Sequence, residues 1–168
     1  PREGVFTLRS IEDADRIKHW CRGKKNIVIS GAGLLGLETA NALRSLCARV
    51  TVIETAQYLL PRQLDADGAG LLRGLLEKKG LSFIFDDCIA SVSGTGVLQS
   101  VTLKSGRSLA ADARITSAGV RPNVELAAKA GLAVERGIVI DRFMRTSSPD
   151  IFAAGDCCEF EGNVCGLW

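Results

Sequence analysis

The chain has 168 residues, 46% of them apolar and 24% charged. That suits one ordinary domain, with or without short pieces of a neighbour, and is too apolar for a disordered chain. A net charge of +2 and an aromatic content of 5% exclude the basic, stacking surface of a nucleic-acid binder.

Residues 5–8 read as a short strand. Ser10 then caps a first helix, because Ser10-Ile11-Glu12-Asp13 has the form of a capping box with an acid at the third helical position. Ile11, Ala14 and Ile17 line the face expected to be buried, and Gly23 stops the helix. Residues 25–30 form the next strand, where Ile27-Val28-Ile29 is an unbroken apolar run suited to a parallel strand covered on both faces. Gly31-Ala32-Gly33-Leu34-Leu35-Gly36 follows directly and opens a helix over about 34–47. Residues 49–54 are a second buried strand, which completes a βαβ unit. A loop containing Pro61 leads to Asp65, the cap of a helix that ends at Gly80, with Lys78 and Lys79 complementing its C-terminal dipole. Residues 81–85 are a third strand.

The pattern then changes to short strands with tight turns. Residues 89–92, 97–103 and 108–110 are separated by Ser93-Gly94-Thr95-Gly96 and Lys104-Ser105-Gly106-Arg107, which predicts an antiparallel meander. Residues 114–117 are expected to rejoin the parallel sheet. Residues 124–130 form a short helix stopped by Gly131, and 137–140 and 151–154 are further strands. The predicted class is α/β: a Rossmann-like, three-layer parallel sheet built on βαβ units, with an antiparallel β-meander.

The glycine run carries the chemistry. Gly31-x-Gly33-x-x-Gly36 sits between a strand and a helix, the context in which such a run cradles a dinucleotide. Gly31 permits the tight turn, Gly33 admits a pyrophosphate close to the backbone, and Gly36 lets helix and strand pack. Ala32, Leu34 and Leu35 lie between them, and the helix start offers free N–H groups to an anion. Glu54, at the end of the second strand, is placed to accept hydrogen bonds from the adenosine ribose, with Thr55 beside it. No cation appears until Arg62, so NADH is expected over NADPH.

Other chemistries have little support. The six cysteines include no C-x-x-C pair. Cys157, Cys158 and Cys165 are either a thiol or metal cluster or free thiols, and free thiols with no metal are expected. His19 is the only histidine and sits on a peripheral helix, so no Ser/His/Asp triad is expected. No apolar run approaches the ~20 residues of a membrane-spanning helix. Pro1-Arg2-Glu3-Gly4 lacks signal-peptide character, so a cytoplasmic location without a membrane partner is expected.

Several motifs occur together in order: Leu34-Leu35-Gly36-Leu37-Glu38, the meander, Gly119-x-Arg121-Pro122-Asn123, and Thr146-Ser147-x-Pro149-Asp150-Ile151-Phe152-Ala153-Ala154-Gly155-Asp156. This set resembles the pyridine-nucleotide–disulfide oxidoreductase superfamily, whose fold is of the FAD/NAD(P)-binding type. Pro61-Arg62-Gln63-Leu64-Asp65 and Glu161-Gly162-Asn163-Val164-x-Gly166-Leu167 are similar to its branch of NADH-dependent nitrite reductase large subunits and rubredoxin or ferredoxin reductases. The resemblance implies a linker strand and helix over 1–24, an NAD-binding domain over 25–117, and a connection and returning segment of the FAD domain over 118–168. It also implies that an N-terminal segment holding most of the flavin is missing, so the chain alone binds nucleotide without turning over.

By the same resemblance Gly155 and Asp156 hold the flavin ribityl chain, and Ala118 and Gly119 leave room beside the nicotinamide. Glu38, the catalytic candidate, lies near the nicotinamide, where it anchors the carboxamide or orients the ring, or else serves only the helix dipole. Leu34 stands where some members carry an aromatic gate. The implied reaction is hydride transfer from NADH to the flavin N5, with onward transfer to an acceptor the sequence leaves open. The implied partners are NADH and the FAD domain of the complete chain. Two rivals remain, a non-catalytic nucleotide-binding or redox-sensing module and a structural interaction domain; the Gly155-Asp156 tail favours the enzyme.

Overall fold

The computed structural model describes residues 3–47, 49–117, 119 and 121–166, which fall into two units, Pro1–Gly119 and Val120–Trp168. The first unit begins with β1 (Val5–Thr7), α1 (Ile11–Cys21), β2 (Asn26–Ser30), α2 (Leu34–Leu43), β3 (Arg49–Ile53), α3 (Ala66–Lys78) and β4 (Leu81–Ile84). It continues with β5 (Ile89–Ser93), β6 (Ser100–Leu103), β7 (Ser108–Ala110) and β8 (Ala113–Thr116). Five strands form a parallel sheet in the order β1-β8-β2-β3-β4, and β5-β6-β7 form the antiparallel meander.

The central strands are apolar on both faces because both are covered. On one side Ile27, Ile29, Val50, Val52, Ala113 and Ile115 pack with Ile17 of α1, Leu37, Ala40 and Leu43 of α2, and Ala69 of α3. On the other, Val28 and Ile53 pack with Leu98, Val101, Leu103 and Ala111 of the meander region. Helices, sheet and meander are the three layers. Each fully buried Ile or Val contributes ~1.5–3 kcal/mol of transfer free energy, before the entropy of ordering.

Local caps form as the sequence predicts. Ser10 and Asp13 make a reciprocal capping box, and the Asp65 carboxylate accepts the Gly68 N–H at 2.8 Å. Three details differ from expectation. Ile17 is buried as expected, but Ile11 and Ala14 are exposed, and α1 buries Cys21 and half-buries Trp20 in their place. The Trp20 indole N–H donates to the Asp112 carbonyl at 2.9 Å and its ring meets Phe6 edge-on, which sets the rotation of the helix. Next, α2 stops at Leu43 rather than near 47; there the Ser45 hydroxyl donates to the Ala42 carbonyl and a turn closes from Leu46 N–H to Leu43 C=O. Finally, β6 starts at Ser100, because residues 96–98 bond to Glu3 instead of continuing the hairpin.

The second unit holds α4 (Glu125–Lys129), β9 (Ile138–Val139), β10 (Cys158–Phe160) and β11 (Asn163–Val164), with β10 between β11 (antiparallel) and β9 (parallel). The β10–β11 hairpin turns through Glu161 and Gly162, both at positive φ, as a two-residue turn of this kind requires. Glu159, only 2% exposed, accepts the N–H groups of Arg136 and Gly137 at 2.7 and 2.8 Å. Residues 151–154 are not a strand: Phe152 makes one isolated bridge to Arg145. The Asp141 carboxylate accepts from the amides of Phe143 and Arg145, and the Thr146 hydroxyl donates to the Ile151 carbonyl at 2.8 Å. Those local bonds take groups a ladder would use. Among the described residues no helix is long and apolar enough to cross a membrane.

Candidate functional site

The glycine run lies at the carboxyl ends of β2 and β3. The Gly31 N–H donates to the Ile53 carbonyl at 2.8 Å, and Gly31 takes φ 104°, which turns the chain into α2. A Cβ on Gly36 would stand 2.1 Å from the Gly31 carbonyl oxygen, so strand and helix approach here only because position 36 has no side chain. A Cβ on Gly33 would meet nothing within 4 Å, so that side of the loop is open.

Gly33 is the N-cap of α2 and offers no side-chain acceptor, and the first turn of α2 contains no acid. The leading amides of a helix have no intrahelical partner, and the helix dipole adds partial positive charge there. An anion is the natural complement to that end. Leu34 and Leu35 are 44% and 41% exposed, so their side chains do not seal it.

Glu54 follows β3 and turns back on the loop. Its carboxylate accepts the Ala32 N–H at 2.6 Å, the Ala56 N–H at 3.0 Å and the Thr55 hydroxyl at 3.0 Å. Burial works to raise its carboxyl, but these two amides, the Thr55 hydroxyl and the Thr55 amide outweigh it and hold the group below the usual carboxylate range. Glu54 is therefore an anion at neutral pH that is bonded to the loop itself, an arrangement absent from the sequence reading.

Two hydroxyls at the ends of adjacent strands also escaped the sequence reading. The Ser117 N–H donates to the Ser30 carbonyl at 2.8 Å, and the Ser117 hydroxyl lies 3.5 Å from where a Cβ on Gly36 would be. The Ser30 Oγ is buried without a hydrogen-bond partner among the described residues. Their only sequence signal is a polar residue closing each of two apolar strands.

The structure thus brings Gly31, Ala32, Gly33, Leu34, Leu35, Gly36, Glu54 and Thr55 to one sheet edge. Glu38 is exposed on α2 and makes no hydrogen bond or ion pair among the described residues. Gly119 is exposed with φ 85°, and Ala118 lies outside the described residues. Gly155 and Asp156 belong to the second unit; both are exposed, Gly155 has φ 87°, and its carbonyl accepts the Cys158 N–H at 3.0 Å. His19 is exposed on α1. The six cysteines are free, and no cluster of three or more metal-ligating side chains occurs among the described residues. Clefts of about 290 Å³ beside Tyr58, Arg73 and Phe85, and of about 620 Å³ beside Phe6, His19 and Trp20, include no residue of the glycine loop.

A family model described as pyridine nucleotide-disulphide oxidoreductase matches residues 2–167. The chain belongs to that family. This bears out the resemblance carried by the glycine run and the motifs that follow it. Among relatives of this family, the assimilatory nitrate reductase electron transfer subunit of Bacillus subtilis is 42% identical over 99% of this chain. The nitrite reductase [NAD(P)H] of the same organism is 37% identical over 99% of it. A crystal structure of a covalent putidaredoxin reductase–putidaredoxin complex superposes with a TM-score of 0.88 at 32% identity over 94% of this chain. The chain spans 22% and 21% of the two Bacillus subtilis relatives and 38% of the matched chain in the complex.

Proposed function

We propose that residues 25–117 are the NADH-binding domain of an FAD-dependent oxidoreductase, that 118–168 are the connection and a returning segment of its FAD domain, and that 1–24 are a linker strand and helix that lead into the NADH-binding domain and pack on its sheet. The observation that carries this reading is the uncapped start of α2 behind an open glycine loop, with a carboxylate anchored beside it.

The residues present suit a dinucleotide. The amides of Gly33, Leu34, Leu35 and Gly36 receive the pyrophosphate, aided by the helix dipole. Ala32 contributes through its bond to Glu54, which holds the loop against β3. A carboxylate has about four acceptor sites, and the loop, Ala56 and Thr55 use three of them. The remaining site takes a ribose hydroxyl, and the charge repels a 2′-phosphate. Ala118 and Gly119 border the nicotinamide half, and Glu38 is the carboxylate proposed to act beside it. Gly155 and Asp156 suit a polyol, since an exposed carboxylate on a positive-φ turn accepts from hydroxyls without displacing any protein partner.

The bound groups supply hydride transfer from a reduced nicotinamide to a flavin, and the chain supplies position and electrostatics. The identity to the nitrate- and nitrite-reductase proteins supports an acceptor in that branch, such as the electron path of a nitrite reductase large subunit.

Calorimetric titration with each coenzyme tests the reading. NADH is expected to bind at least about tenfold more tightly than NADPH, the equivalent of ~1.4 kcal/mol. Glu54→Arg is expected to reverse the order. Tighter binding of NADPH by the unmodified protein, or no binding of either, refutes the assignment.

A further inference from the structure

Two adjacent cysteines follow the Gly155–Asp156 turn: Cys157 closes the turn and Cys158 opens β10. Their sulfurs are 3.8 Å apart, in van der Waals contact. Cys157 is half-buried and open to a small reagent, and its thiol lies 3.5 Å from the Ala154 carbonyl. Cys158 is fully buried. Burial, then the contact with Cys157 and the neighbouring thiols of Cys157 and Cys165, pushes the Cys158 thiol up to about 11, so it stays protonated while Cys157 meets solvent.

We infer that Cys157 and Cys158 are an oxidisable dithiol, a modification site at which a hydroperoxide converts the two thiols into a disulfide and disturbs the turn carrying Asp156. The Cys157 sulfur attacks the peroxide, forming an S–O bond as the O–O bond breaks, and the alcohol or water leaves with the thiol proton. The Cys158 sulfur then displaces the hydroxyl of the sulfenic acid, an S–S bond forms, and water leaves with the second proton. Two thiols are oxidised, one hydroperoxide is reduced, and an external thiol reverses the change.

The peptide between these residues has structural work that ring closure interrupts. The Cys157 carbonyl accepts the Ile138 N–H at 2.8 Å, the first rung between β9 and β10. The Cys158 N–H donates to the Gly155 carbonyl at 3.0 Å and so closes the turn that presents Asp156. A disulfide brings sulfurs to ~2.05 Å and usually joins Cα atoms ~4.4–6.8 Å apart. Neighbouring Cα atoms are held at ~3.8 Å by the trans peptide, shorter than that range, so the eight-membered ring closes only by turning both side chains and distorting the peptide between them, which strains the two hydrogen bonds that peptide makes. The oxidation stands on the contact between the two sulfurs and the accessibility of Cys157; its effect on flavin retention rests also on the reading of Asp156 given above.

The experiment exposes the flavin-loaded, full-length protein to hydrogen peroxide, alkylates the remaining thiols and maps them by mass spectrometry. The peptide containing residues 157 and 158 is expected to lose two hydrogens, resist alkylation and recover with dithiothreitol. Cys158→Ser is expected to stop at a sulfenic acid on Cys157 that dimedone traps, and Cys165→Ser to change nothing. Two alkylatable thiols at peroxide doses that oxidise other cysteines, or a disulfide running to Cys165 or between molecules, overturns the proposal. Flavin release is expected to rise about tenfold on oxidation, as for loss of one charge-assisted hydrogen bond. Unchanged release overturns the coupling if Asp156→Ala does accelerate it. If Asp156→Ala also leaves release unchanged, the flavin reading of Asp156 has failed instead.

Discussion

Replacing Glu54 by Gln separates the two jobs assigned to that carboxylate. The native side chain accepts from Ala32, Ala56 and Thr55. A glutamine keeps one oxygen. If it faces Ala32, its NH₂ group faces the Ala56 amide, and two donors confront each other; the reverse rotamer leaves Ala32 unpaired. The Thr55 hydroxyl can rotate and accept, so the net loss is one charge-assisted bond and one satisfied amide. For a buried site that costs ~1–3 kcal/mol. Glu54 is only half-buried, so solvent screening brings the expectation to about 1–2 kcal/mol.

The sign of the pH dependence follows from the depressed carboxyl. The unfolded chain protonates Glu54 at its ordinary value and the folded chain only at a lower pH. The stabilisation is therefore complete above the ordinary value of about 4.5 and disappears as pH falls through the folded value. Urea denaturation of both proteins at neutral pH, repeated at steps below pH ~4.5, should show a gap that closes on acidification. Amide hydrogen exchange should show lost protection at either Ala32 or Ala56. A gap that is the same at both ends of the range, or native protection at both amides, refutes the clasp.

Gly36→Ala puts a methyl group against the Gly31 carbonyl, so the loop must open; a loss of ~1–3 kcal/mol and weaker NADH binding are expected from thermal melting and titration. Glu159→Ala leaves the amides of Arg136 and Gly137 unpaired in a buried site, at a cost of ~2–4 kcal/mol, while Glu159→Gln can keep its oxygen toward both and should cost markedly less; limited proteolysis of the second unit distinguishes the two. Asp65→Ala removes the cap of α3 and should lower stability by ~1 kcal/mol, with Asp65→Asn close to native by the same denaturation assay.

The legible parts of this protein are those written in neighbouring residues. The apolar run of β2, the glycine loop, the start of α2 and the acid after β3 are all specified within about 30 residues, the length of a βαβ unit. The caps at Ser10 and Asp65 and the glycine turns of the meander are equally local, so the α/β class, the meander and the candidate coenzyme residues were read from the chain itself. Cross-chain pairings carry no such signature. Tertiary structure alone inserts β8 between β1 and β2, diverts residues 96–98 to Glu3, and rotates α1 so that Ile11 faces water while Trp20 meets Asp112. It also turns Glu54 onto the Ala32 amide, buries Glu159 beneath two backbone donors, and brings the sulfurs of Cys157 and Cys158 into contact. Periodicity and capping are one-dimensional and survive in a string of letters. The partner of a buried carboxylate or a strand edge is chosen by packing between distant segments, and only the folded chain holds that choice.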